Sequence, residues 1–176
     1  MIETVRKKLD RAWDAHERGE HFDALKLCNE VLELDPYSAV AYSYRAAAYV
    51  GLKDYQKAID DANKSIEIKP TYYYSYNNRG WAYLELGNYE QAVSDFSESI
   101  KRIGKRKYPI PYYNRAAAYI ELKDYNKAID DCNKAIEFQP TCAAAYNNRG
   151  IAYEKLGETT KAQADFVKAK HLGYNS

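Results

Sequence analysis

No apolar run in this 176-residue chain approaches the ~20 residues of a membrane-crossing helix, so no span of that kind is expected. The first ten residues, MIETVRKKLD, lack the apolar core of a secretory signal. Charge of one sign is also lacking. The formal net charge is +1, which points neither to nucleic acid nor to a membrane surface. Cysteine is scarce, and Cys28, Cys132 and Cys142 show no metal-ligand spacing. Free thiols, with Cys28 and Cys132 buried and Cys142 in a turn between repeats, and a reducing cytoplasm are the simplest reading. The three histidines, at 16, 21 and 171, are scattered. There is no phosphate loop, no HExxH pair and no nucleophile elbow. Asp60-Asp61 and Asp130-Asp131 recur as parts of a repeated pattern. No enzyme, metal site or cofactor is therefore expected. At 46% hydrophobic and 29% charged residues, the chain is globular rather than disordered.

Proline is rare too, and its spacing is informative. Pro36 and Pro70 lie 34 residues apart, and Pro140 follows 70 residues after Pro70, as one further unit with a two-residue insertion requires. Longer repeats confirm the period. Residues 44–71 and 114–141 are identical at 20 of 28 positions, and 76–96 matches 146–166 at the same offset. Five units follow, at 5–38, 39–72, 73–108, 109–142 and 143–176, read together as a single domain over 1–176. Gln163 and Lys170 replace the apolar residues of the earlier units, as expected of a polar terminal cap near a natural end.

Each unit reads as two helices. Tyr42, Ala46 and Tyr49 recur at helical spacing, and so do Ala58, Ala62 and Ile66 after a break at Lys53-Asp54. Gly19, Gly87 and Gly157 sit where a helix end favours a left-handed residue. Asp54, Asn88 and Asp124 follow where a second helix needs an N-cap acceptor. The reading is all-α, with ten helices of about 12–14 residues.

Small residues recur at position 8 of the units: Ala12, Ala46, Gly80, Ala116 and Gly150. Tyr49, Tyr83, Tyr119 and Tyr153 occupy position 11, and Ala24, Ala58, Ala92, Ala128 and Ala162 position 20. Position 24 holds Phe96 and Phe166 but Cys28, Ala62 and Cys132 elsewhere. This pattern resembles the tetratricopeptide repeat over nearly the whole chain. Arg45, Arg79, Arg115 and Arg149 depart from the leucine usual at position 7. Each has an aspartate sixteen residues on, at 61, 95, 131 and 165, so four structural ion pairs between paired helices are expected.

The resemblance implies an α-solenoid, a right-handed superhelix whose first helices line a concave groove. Carried over by position, the groove holds Asn78, Asn114 and Asn148 as a ladder, with Asn77 and Asn147 beside it. Trp13, Tyr44, Tyr74, Trp81 and Tyr113 supply aromatic lining, and His16, Ala47, Val50 and Glu85 share it. An amide carries a donor and an acceptor, so such a ladder suits the backbone of an extended peptide. Tryptophan and tyrosine suit hydrophobic anchoring. The implied function is a protein- or peptide-binding adaptor.

The family's grip on the C-terminal carboxylate of heat-shock chaperones needs cations at fixed positions. The middle asparagine survives in two of the three registers, as Asn78 or Asn114, and no cation is present at the required positions in any, so that clamp is not expected. A basic insertion, KRIGKRKYP at 101–109, offers a weak alternative as a nucleic-acid contact. A self-associating scaffold, a homo-oligomer built through convex or end faces, is the other alternative.

Overall fold

The turn inside each repeat explains how one sequence pattern gives two antiparallel helices. The computed structural model describes residues 2–174. Gly19, Gly87 and Gly157 adopt φ of 76°, 77° and 80°, and Lys53 and Lys123 hold the same place in the second and fourth repeats at φ 61°. That left-handed step lets the next amide reach back to the helix it has left. Asp54 N donates to Tyr49 O at 2.9 Å, and Asp124 N to Tyr119 O at 2.9 Å. The Asp54 and Asp124 carboxylates then accept from Lys57 N and Lys127 N, each at 3.4 Å, and cap the second helix.

Ten helices result among the described residues, and no strand. They are α1 (Ile2–Glu17), α2 (His21–Leu34), α3 (Ala39–Gly51), α4 (Tyr55–Ile68), α5 (Tyr73–Glu85), α6 (Tyr89–Ile103), α7 (Ile110–Glu121), α8 (Tyr125–Phe138), α9 (Ala143–Lys155) and α10 (Thr159–His171). Second helices stop two residues before Pro36, Pro70 and Pro140. Pro109 and Pro111 bracket the start of α7, where a missing N–H costs nothing.

The helices group into two compact units, Met1–Asn88 with α1–α5 and Tyr89–Ser176 with α6–α10. In the N-terminal unit each helix packs on the next, and the odd-numbered helices also pack on one another, α1 on α3 and α3 on α5. In the C-terminal unit α7 packs on α9 in the same way. The even-numbered helices within a unit make no such contacts among the described residues. Each unit is therefore curved, with the first helices of its repeats inside.

The core is made of small residues. Ala12, Ala46, Ala58, Ala82, Ala116, Ala128 and Ala152 are fully buried, which lets helix backbones come close. Position 24 compensates position 8. A Cβ on Gly150 would stand 2.7 Å from the Phe166 ring, so the phenylalanine occupies the space the glycine leaves. Where position 8 is alanine, as at Ala12 and Ala116, position 24 is the smaller Cys28 or Cys132. Buried hydroxyls are satisfied in pairs, with Ser65 Oγ 2.6 Å from both Ala39 O and Ser75 Oγ.

Candidate functional site

The arginine at position 7 is a staple between helices. Arg45 Nε and Nη2 donate to Asp61 at 2.6 and 2.7 Å; Arg115 meets Asp131, and Arg149 meets Asp165, in the same bidentate way. The third nitrogen reaches back to the preceding repeat. Arg45 Nη1 donates to Asn29 Oδ1, Arg79 Nη1 to Asn63 Oδ1, Arg149 Nη1 to Asn133 Oδ1 and Arg115 Nη1 to Ser97 Oγ, at 2.6–2.8 Å. Tyrosine rings at 42, 76, 119 and 146 lie 5.4–5.8 Å from these guanidiniums. Every fork donor of Arg45, Arg115 and Arg149 named here is engaged inside the protein. The row is structural, and the inter-repeat bond is a role that the sixteen-residue spacing alone did not reveal.

The first-helix face of the N-terminal unit brings three of the expected aromatics into one region and adds Tyr73. Trp13 on α1 lies 5.0 Å from Tyr44 on α3 and 5.5 Å from Tyr74 on α5, between ring centroids. Tyr73 stacks on Tyr74 at 4.2 Å. All four rings are half-buried, as inward-facing side chains on a curved surface should be. Burial raises the Tyr44 phenol above its ordinary value, opposed by a hydrogen bond with Tyr72. Further along the same face, Trp81 and Asn78 on α5 line a cavity of about 310 Å³ with His16, Ala47, Val50, Gly51, Lys53, Tyr55 and Glu85.

The asparagines divide into two kinds. Asn78 Nδ2 donates to Ser43 O at 2.9 Å and Asn148 Nδ2 to Tyr113 O at 3.0 Å, in both cases onto the first helix of the preceding repeat. These bonds fix the amide orientation. The side-chain oxygens of Asn78 and Asn148 accept no hydrogen bond among the described residues. Asn77 and Asn114 are buried, at 7% and 3% exposure, and belong to the helix packing. Asn147 is half-buried on α9, and Tyr113 packs its ring against Ala135, Cys142 and Ala145.

Position 13 carried the signal that sequence reasoning missed. It holds Glu17, Glu85, Glu121 and Lys155, but Gly51 in the second repeat. A Cβ at Gly51 would stand 2.4 Å from the His21 ring, so a side chain there would displace the imidazole. The His16 and His21 rings lie 5.4 Å apart, and both Nδ1 atoms are buried without a hydrogen-bond partner. Burial, and then the neighbouring His21, hold the His16 imidazole below its ordinary value.

The remaining chemistry is quiet. Cys28, Cys132 and Cys142 are free and buried, and burial pushes the Cys28 thiol up to about 12 and raises the other two. Among the described residues no group of three or more His, Cys, Asp or Glu could hold a metal ion, and no helix is long and apolar enough to cross a membrane. In the basic insertion Arg102 pairs with Glu98, and Lys101 lies 3.6 Å from the same carboxylate. Lys105, Arg106 and Lys107 are exposed.

Sequence models of the tetratricopeptide repeat match residues 39–72 and 109–142, and a second such model matches 62–94 and 132–164. Tetratricopeptide repeat protein 28 of Homo sapiens is 39% identical over 62 residues, which are 35% of this chain and 2% of that protein. This chain therefore corresponds to a small part of that relative. A solved structure of MamA superposes with a TM-score of 0.71 at 24% identity, covering 98% of this chain and 93% of that one. MamA from Desulfovibrio magneticus RS-1, from residue 41 on, gives 0.74 at 18% identity over 96% and 94%. These likenesses show an α-solenoid of helix–turn–helix repeats. The chain belongs to the tetratricopeptide repeat family.

Proposed function

We propose that this protein is an adaptor that holds an extended segment of a partner protein on the face lined by its first helices. The observation that carries this reading is the aromatic surface of Trp13, Tyr44 and Tyr74, joined by Trp81 on the same helices. Half-buried aromatic rings on a concave surface make large apolar contacts at low entropic cost. Asn78 and Asn148 add acceptors. With one amide N–H tied to a neighbouring carbonyl, each side chain keeps its oxygen to take a backbone N–H from the ligand. The buried thiols suit a reducing, cytoplasmic setting.

Affinity purification from lysate tests the reading. Asn78→Ala combined with Asn148→Ala should lose a partner that the wild-type chain retains, without a change in helical content. Retention of every partner by the double variant would overturn it. A second reading has an observation of its own. Phe22 and Tyr37, at 75% and 76% exposure, and Leu34, at 47%, lie on or just after α2, away from the first-helix face. Self-association through them predicts a mass that rises with concentration in sedimentation and falls back in Phe22→Ser/Tyr37→Ser.

A further inference from the structure

The cavity beside Trp81 has a defined chemistry. Its walls are Ala47 and Val50 of α3, Trp81 of α5 and the Tyr55 ring, closed at one side by His16. Two of the polar groups around it are engaged, while His16 Nδ1 is buried without a partner. Tyr55 donates its hydroxyl to Glu85 at 3.1 Å, and Asn78 donates to Ser43 O. Lys53 and Glu85, both exposed, bring one charge of each sign. Nothing here recognises a net charge.

We propose that this cavity receives one aromatic side chain of the bound segment, and that it is the anchor that sets the segment's register. This rests on the adaptor reading above and adds the class of residue the partner must carry. Size agrees. A dry cavity of about 150 Å³ suffices for benzene, and this one has about 310 Å³. That is room for a phenyl or indole ring and its first methylene. Its composition, aromatic and apolar walls with a few polar groups, is that of a ligand pocket.

The internal duplication supplies a control within the same chain. Seventy residues on, the counterparts of the eight lining residues other than His16 are Ala117, Ile120, Glu121, Lys123, Tyr125, Asn148, Ile151 and Lys155. Alanine, lysine, tyrosine and asparagine are unchanged. The substantive changes are Gly51 to Glu121, Trp81 to Ile151 and Glu85 to Lys155. They remove the indole wall and place a carboxylate where the first copy has no side chain. The two copies thus differ at the residues that make the first one a pocket for a ring. A Cβ at Gly51 would meet the His21 ring, so the glycine leaves that ring its place beside the cavity. The first copy is the aromatic subsite; the second is its polar counterpart.

The test uses N-acetyl-tryptophanamide, N-acetyl-phenylalaninamide and N-acetyl-glycinamide as probes, titrated into the full chain and followed by amide NMR. The two aromatic amides should shift the Gly51 amide and the Trp81 indole N–H saturably, the glycine amide should not, and Glu121 and Ile151 should stay still. Trp81→Ile should weaken binding about tenfold, the size of one aromatic contact. Val50→Asp, at a half-exposed position, should do the same and covers the case in which Trp81→Ile unfolds. Equal shifts at Gly51 and Glu121, or unchanged binding in both variants, would overturn the pocket. If the aromatic amides bind as described while Asn78→Ala/Asn148→Ala keeps every partner, the pocket stands and the adaptor reading falls. If that double variant loses a partner but no probe shifts Gly51, the adaptor reading stands and the pocket falls.

Discussion

Arg115 shows how much one side chain can hold together here. It binds Asp131 of its own repeat, Ser97 of the preceding one, and lies over Tyr119. Burial raises the Asp131 carboxyl, with Arg115 pulling the other way. Removing the arginine leaves a buried carboxylate without its partner. Arg115→Ala should therefore cost about 3 kcal/mol, read from denaturant unfolding. Arg115→Lys should recover little, because an ammonium cannot serve the fork. His16 makes the second residue-scale prediction. Its imidazolium is disfavoured in the folded chain, first by burial and then by His21, while the unfolded chain takes up the proton near 6.5. The unfolded state binds more protons as pH falls below that value. The contribution is fully present above 6.5 and is lost as pH drops through the lowered folded value. The melting temperature should fall on mild acidification, and His16→Asn should flatten that slope. An unchanged slope in the variant would assign the loss to other groups.

At the scale of elements, two devices recur: the left-handed turn and the exchange of volume between positions 8 and 24. Lys53 and Lys123 carry the turn at φ 61°, a conformation that costs a side-chain-bearing residue about 1 kcal/mol. Lys123→Gly should raise stability by several tenths of that, less the added entropy of the unfolded chain. Gly150→Ala drives a methyl into the Phe166 ring and should cost about 1–3 kcal/mol. Phe166→Cys in the same chain should restore part of it, reproducing the Ala116–Cys132 pairing. Additive losses in the double variant would show that the two positions do not trade volume. These elements were legible in the sequence. A 34-residue period, helix-ending prolines and turn residues are local signals repeated five times. The bidentate arginine–aspartate pairs were legible for the same reason. What was not legible needed contacts between distant segments. The burial of Asn77 and Asn114, the carbonyls that take the Asn78 and Asn148 amides, and the fit of His21 over Gly51 all depend on how one repeat seats on the next. Gly51 stood out only as the glycine at a position otherwise charged.

For the whole molecule, function follows from repetition with local exceptions. Near-identical repeats offer near-identical surfaces, and distinct chemistry enters where copies diverge. Net charge is +1, and the residues gathered on the first-helix face are mostly aromatic, amide and aliphatic. Partner binding should therefore change little with ionic strength, in contrast to the steep salt dependence of a phosphate-reading surface. A steep loss of affinity at high salt would shift weight to Lys105, Arg106 and Lys107. The central claim is that the partner lies along the first helices, and site-specific photo-crosslinking tests it most directly. A photoreactive phenylalanine would be placed at Tyr44, Trp81 or Asn148 on the first helices, and at Phe22, Tyr37 or Val167 on or beside the second. The first set should crosslink one partner segment and the second none. Crosslinks from Phe22, Tyr37 or Val167 alone would contradict it.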